Sequence, residues 1–496
     1  MFACSRTVAG RSRLFAMPLR AKILTGALPR QMSTQKTYDF ENVADDVLYS
    51  SHSGLREVLL NRPKKLNALN MSMVTKMVPR FVEWSKSELA DVIVLKGSGR
   101  AFCAGGDIAE LAKLIKAEGE AGSQKATEFF ATEYLLDYII ATYPKPIVSL
   151  MDGITMGGGV GLAGHTPFRI ATEKTVFAMP ETLIGFYPDV GTSFFLSRLD
   201  GELGTYFAMT GERASGIDTL MTGVATHYVE SRFLDDLEAR LRELRLEGLD
   251  YTKFNAVVNE AINDFATELP ADYVNPLGGA ARKTIDDCFK HDSVEKILEA
   301  LEADGSEFAQ KALAAIREKS PTSVRVALRA VREGKSWDIM TAFKKDMQLS
   351  SRFMRNPNFV AGVTARVIDK PASTPQWDPA SFDQITELDA YERFFKATDA
   401  DAETLGEYWK GLDALKTTYD QYPYNNGLPT EAEVRAYVLG EDPDSSSFLM
   451  TKDEIVKYFV EEYRGKVGVK QKVADILDRK TQPQKGYEEE KLVNWV

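Results

Sequence analysis

Two glycine turns and two carboxylates are the residues here that could do chemistry. The first turn, FCAGGD at Phe102–Asp107, follows the apolar stretch DVIVLKG and opens a helical pattern. The second, MGGGVG at Met156–Gly161, again lies between a strand pattern and a helix. Adjacent glycines let a backbone approach a ligand closely, and amides at a helix start have no partner within the helix. Two amides from separate strand-to-helix turns can converge on one oxygen, and a helix dipole reinforces them at a developing oxyanion. Either cluster alone reads as tight packing, and neither matches GxxxxGK[ST] or GxGxxG. Downstream, Glu181 sits in AMPET and Asp189 in FYPDVG. Two nearby, desolvated carboxylates push one pKa towards neutrality, which suits a nucleophile or a general base. Taken singly, Glu181 reads as a surface or capping acid, and Asp189 as an N-cap for TSFFLSRL.

These residues need strands and helices to bring them together. Leu55–Asn61 reads as an apolar strand ending in the turn NRPKK, and Met71–Lys86 has the apolar spacing of a helix. Asp91–Gly97 and Pro146–Gly153 read as buried strands, each leading into a glycine turn. Helical patterns follow in IAELAKLIKAEG and over Ala126–Ala141, and FRIATE and TVFAMPE supply two more short strands. From about Asp200 onward helical patterns dominate. The reading is an α/β core with a helical appendage. A proline-rich connector lies at Asp369–Phe382. Beyond it, Thr430 with Glu433 and Thr451 with Glu454 have capping-box spacing. The second box opens a helix with Ile455, Val456, Phe459, Val460 and Tyr463 on one side, a face that needs a partner.

Composition bounds the function. At 496 residues, with 44% hydrophobic and 27% charged residues, the chain fits two or three globular domains. Three cysteines build no disulfide framework, and four scattered histidines show no metal-ligand spacing. Cys103 has no activating neighbour and reads as a small packing residue. His165 reads as satisfying a local hydrogen bond after the glycine-rich helix, and Tyr408, Trp409 and Tyr437 as packing. No apolar run approaches the ~20 residues of a membrane span. The net charge of -11 hides an asymmetry, because residues 1–38 carry seven basic side chains and no acid. The remainder is strongly acidic, which argues against DNA and any broad phosphate surface. Residues 1–36 have the Arg-rich, acid-free composition of a mitochondrial transit peptide, so the matrix is the expected compartment.

FCAGGD, a helical interval, MGGGVGLAGH and then AMPETLIGFYPDVG together resemble the enoyl-CoA hydratase/isomerase superfamily, the crotonase fold. The resemblance spans Val47 to about Val224. Within it, ITMGGGVGL, the run FRIATEKTVFAMPETLIGFYPDVG and TGERASGIDTLMTGVATHYV look closest to the branch that hydrolyses 3-hydroxyisobutyryl-CoA in valine breakdown. The resemblance implies a spiral β-β-α core over residues 40–250, a helical C-terminal region over 251–394, and a helical tail over 395–496 like the extension of fungal members.

It also implies roles. Gly106 and Gly158 supply the oxyanion amides, Glu181 and Asp189 the catalytic acids, and Glu133 in TEYLLD a substrate contact. Lys64 and Lys65 of the NRPKK turn, with Ala104 and Asp107, meet CoA. Hydratases carry a second catalytic glutamate three residues after the middle glycine, where this sequence has Gly161. The broken pair points away from hydration and towards thioester hydrolysis, with CoA entering as part of the substrate and neither cofactor nor metal. Two other readings stay open: an enoyl-CoA hydratase or isomerase, and a structural subunit of the mitochondrial ribosomal small subunit, which fungal relatives with this tail also resemble. Crotonase relatives are often trimers, and the appendages can block that surface, so the homo-oligomeric state stays open.

Overall fold

The run Val92–Leu95 is apolar on both sides, as a central parallel strand must be. Ile93 and Leu95 enter the main core, while Val92 and Val94 face a second apolar cluster built with Leu237, Leu241, Val258 and Ile262. The computed structural model describes residues 43–244, 249–446, 448–485 and 491–496. The expected address segment, residues 1–36, lies outside them.

The core strands are β1 (Val47–His52), β2 (Leu55–Leu60), β3 (Val92–Gly97), β4 (Ala101–Cys103), β5 (Ile147–Met151), β6 (Ile154–Met156), β7 (Phe168–Ala171), β8 (Val176–Ala178), β9 (Ala214–Ser215) and β10 (His227–Tyr228). They form two sheets, ordered β1-β2-β3-β5-β7-β10 and β4-β6-β8-β9. All neighbours pair in parallel except β1 with β2 and β8 with β9. Twice a strand of the first sheet is followed by a short strand of the second and then by a helix. This is the β-β-α spiral of the crotonase fold.

Three helices matter most for the site: α1 (Met71–Lys86), α2 (Ile108–Glu118) and α3 (Glu120–Ala141). A fourth, α4 (Gly158–Gly164), is built from small residues and is buried throughout. The short α5 (Thr192–Leu196) follows the Asp189 loop. The sequence reading of α1 holds residue for residue, although Pro79 lies inside it. Helix α3 starts at Glu120 rather than Ala126. Its first two turns carry glycine, serine and charged residues, so they lack the apolar signal of the rest. The stretch read as a plain glycine turn also holds β4. The two-residue strands β9 and β10, in the half expected to be helical, are too short to show any period.

The expected boundary after residue 250 falls at the N-cap Asp250 of the helix Tyr251–Asn263. The one after 394 falls within the helical turn Tyr391–Phe395. The helix Ile339–Phe353 packs along α3. Both tail capping boxes form. Ile455 and Phe459 are buried in the same apolar cluster as the core strands, with Val456, Val460 and Tyr463 packed against it. The tail face therefore docks on the body of this chain. Lys472 of the tail pairs with Asp200 at 2.7 Å, and Tyr437 stacks on Tyr458 at 3.8 Å.

Candidate active site

The two glycine turns meet. A side chain on Gly105 would lie 3.7 Å from the Gly158 nitrogen, and one on Gly157 would lie 3.5 Å from Gly105 Cα. The first turn is also pinned to the NRPKK loop. Leu69 N–H donates to Gly105 O at 2.7 Å, Asp107 N–H to Leu69 O at 2.7 Å, and Ala104 N–H to Leu66 O at 3.0 Å. Leu66 and Asn67 both take the left-handed conformation that this tight crossing demands. The buried Asn67 amide holds it by donating to Ser98 O and Ala101 O. No backbone carbonyl among the described residues accepts from Gly106 N–H or Gly158 N–H. Those are the two amides expected to bind an oxyanion, and Gly158 opens α4.

Carboxylates crowd against these glycines. Glu181 opens the single helical turn Glu181–Ile184 after β8 and is buried. Its Oε1 would lie 2.8 Å from a side chain on Gly157, and Glu133 Oε1 would lie 2.3 Å from one on Gly158. Only glycine allows such an approach. Glu133 Oε1, Glu181 Oε2 and both oxygens of Asp137 are buried without a hydrogen-bond partner among the described residues. Glu133 and Asp137 are one turn apart on α3, so they share a face. Gly161, where hydratases carry a glutamate, has no room for one. A Cβ there would meet Asp137 Oδ2 at 2.5 Å and Val190 Cβ at 2.8 Å.

Asp189 is not a helix cap. The N-cap of α5 is Gly191, and no side chain caps that helix. Instead Asp189 Oδ2 accepts from the Tyr134 hydroxyl at 2.6 Å. Tyr134 has one proton and gives it to Asp189, so the Ser350 hydroxyl donates to Tyr134 in turn. The Tyr187 hydroxyl lies 3.1 Å from both Ser350 Oγ and Asp346 Oδ1. Asp346 Oδ2 accepts from Gly191 N–H at 2.6 Å. The helix Ile339–Phe353 thus closes the acid site from behind.

Burial pushes every one of these acids upward. Glu181 is raised by desolvation, then by the charge of Asp189. Glu133 and Asp346 are raised by the same two causes. For Asp137, desolvation leads and Glu133 follows. Desolvation takes Asp189 to about 7, held back by the Tyr134 hydrogen bond. Like charges this close do not all ionise, so at neutral pH the cluster holds protons it can trade. Among the described residues, no three side chains are grouped to hold a metal ion.

The remaining candidates have other surroundings. Lys64 and Lys65 are exposed on the turn Pro63–Lys65. Asp107 pairs with Arg62 at 3.0 Å, tying the lysine turn to the first glycine turn. Cys103 is buried, and desolvation pushes its thiol up to about 12, which suits packing. Asp137, Tyr134, Tyr187, Asp346 and Ser350 were not singled out from sequence. The two acids in TEYLLDYII, one turn apart in an apolar helix, were a readable signal for Asp137. Nothing near Asp346 in the sequence links it to Asp189.

Comparisons with known proteins bear on the fold and the family. A family model described as enoyl-CoA hydratase/isomerase matches residues 55–395. A Neurospora crassa protein named small ribosomal subunit protein mS47 is 44% identical, covering 96% of this chain and 94% of its own. A Gallus gallus protein named 3-hydroxyisobutyryl-CoA hydrolase, mitochondrial, is 42% identical, covering 71% of this chain and 89% of its own. The crystal structure of a carnitinyl-CoA dehydratase from Mycobacterium thermoresistibile superposes with a TM-score of 0.63 at 34% identity, covering 72% of this chain and 97% of that one. This chain belongs to the enoyl-CoA hydratase/isomerase family.

Proposed function

We propose that this protein hydrolyses a hydroxyacyl-CoA thioester, 3-hydroxyisobutyryl-CoA, to 3-hydroxyisobutyrate and CoA, the step that valine breakdown requires. The observation that carries the reading is Glu181. Its buried carboxyl lies against the paired glycine turns, while Asp137 and Val190 fill the place of a hydratase's second glutamate.

The chemistry follows from the groups present. Attack on the thioester carbonyl puts negative charge on its oxygen, which Gly106 N–H and Gly158 N–H receive. One good donor of this kind is worth roughly 3–4 kcal/mol. Ionised Glu181 takes a proton from the attacking water, or attacks the carbonyl itself to give an anhydride that water then opens. The departing CoA sulfur leaves as thiolate and regains a proton from the acid cluster. The unpartnered oxygens of Glu133 and Glu181 offer acceptors for the substrate hydroxyl and for water. Exposed Lys64 and Lys65 suit the CoA phosphates. The test is turnover by the purified chain of 3-hydroxyisobutyryl-CoA against crotonyl-CoA. Free CoA from the first alone supports hydrolysis, and hydration of the second overturns it.

A second reading has its own support. The N. crassa relative named for a small ribosomal subunit is similar along 96% of this chain, tail included. The chain is then also a subunit of the mitochondrial small ribosomal subunit, with residues 1–36 as its matrix address. Co-sedimentation with mitochondrial small subunits tests the first point. Import of a chain lacking residues 1–36, scored by protease protection, tests the second.

A further inference from the structure

We infer that Tyr422, in the tail, is a positioning residue for Asp189, acting through the His165 ring and the Val190 carbonyl. The inference rests on the hydrolase reading. Tyr422 lies beyond residue 395, where the family match ends.

The chain of contacts has a fixed direction. His165 follows α4 and is wholly buried. Its Nε2 lies 2.9 Å from Val190 O, and its Nδ1 lies 2.8 Å from the Tyr422 hydroxyl. A carbonyl only accepts, so Nε2 carries the proton. Burial pushes the His165 pKa down to about 4, so the ring is neutral near pH 7 and Nδ1 is a bare acceptor. Tyr422 must therefore donate. The Val190 carbonyl fixes the tautomer, and the Tyr422 hydroxyl holds the ring so that Nε2–H stays on that carbonyl.

Val190 needs that bond. It is β-branched, yet its φ is +54°, a conformation such residues avoid unless the surroundings impose it. The loop is pinned at three consecutive residues: Tyr134 on the Asp189 carboxylate, His165 on Val190 O and Asp346 on Gly191 N–H. The tail is itself anchored around His165. Tyr422 packs edge-on against Phe194 at 5.2 Å, Tyr424 donates to His165 O, and Asn426 donates to Pro167 O at 3.1 Å. Removing the Tyr422 hydroxyl orphans Nδ1 and lets the ring turn away from the Val190 carbonyl. Val190 then relaxes, and Asp189 shifts relative to Glu181.

The experiment uses the full chain with Tyr422→Phe, which keeps the ring and deletes only the hydroxyl. Nitrogen-15 histidine spectra read the His165 Nε2–H hydrogen bond, and hydrolysis of 3-hydroxyisobutyryl-CoA reads the consequence. We expect a strongly hydrogen-bonded Nε2–H in the wild type and a weakened one in the variant. We also expect kcat to fall roughly tenfold with KM within twofold, as small misplacements of catalytic groups do. The control Tyr419→Phe removes a neighbouring hydroxyl that donates to Ala141 O at 3.0 Å, and it should leave both readouts unchanged. An unchanged Nε2–H signal, or a changed signal with unchanged kcat, overturns the inference while the hydrolase reading stands. A wild-type chain inactive on the thioester overturns the hydrolase reading instead. The spectra then decide the Tyr422–His165 coupling alone.

Discussion

The Tyr134 hydroxyl donates to Asp189 Oδ2 at 2.6 Å, and this bond holds the Asp189 pKa near 7 against a burial that pushes it higher. Tyr134→Phe removes the bond and keeps the ring. A charged hydrogen bond of this kind is worth roughly 1.5–3 kcal/mol. The Asp189 pKa should therefore rise above its present value, moving the basic-going limb of kcat/KM to higher pH. A pH–rate profile checks this, and an unmoved limb would separate Asp189 from the titration.

Glu181→Gln keeps the shape of the side chain and removes its ability to ionise. Thioester hydrolysis should fall by more than ~100-fold, the low end for a positioned base or nucleophile. The melting temperature should not fall, because Glu181 has a buried, unpartnered oxygen and a raised pKa that make its ionised form costly. Near-normal turnover by the variant would remove Glu181 from the chemistry.

Asp189→Asn separates charge from geometry. The Asp189 charge raises the pKa of both Glu181 and Glu133. Replacing it with a neutral amide should lower kcat, and the remaining activity should titrate at lower pH. A simple loss of packing would lower activity without moving the profile.

The same pair of proteins reports on stability. The Asp189 pKa in the folded state is raised from 3.8 to about 7, so the folded state binds the extra proton. Its contribution is fully present below about pH 4 and is lost as pH rises through about 7, at up to roughly 1.4 kcal/mol per pH unit. The stability of the wild type minus that of Asp189→Asn should therefore decline between pH 4 and 7. Urea titrations across that range measure it, and a flat or rising difference would contradict the burial argument.

Gly161→Glu tests whether hydratase chemistry can be restored. A side chain there meets Asp137 Oδ2 at 2.5 Å and Val190 Cβ at 2.8 Å. Even Gly161→Ala should destabilise by roughly 1–3 kcal/mol through overpacking. The glutamate variant should lose stability and gain no hydration of crotonyl-CoA.

Much of this was legible in the residues themselves. The unbroken apolar run Val92–Leu95, the amphipathic period of Met71–Lys86 and both tail capping boxes are local patterns, set by side chains one to four positions apart. The glycine turns were legible as strand-to-helix turns with free amides, while the role of the MPE glutamate came only from the family resemblance. Only the tertiary structure decided that Asp189 binds Tyr134 rather than capping a helix. It also decided that Asp346 and Ser350 close the acid site, and that Tyr422 of the tail reaches His165. Each of those contacts joins residues 55 to 257 positions apart. No local period encodes them, because they arise when helices far apart in the chain bury their apolar faces against one another and carry their polar groups into the same dry space.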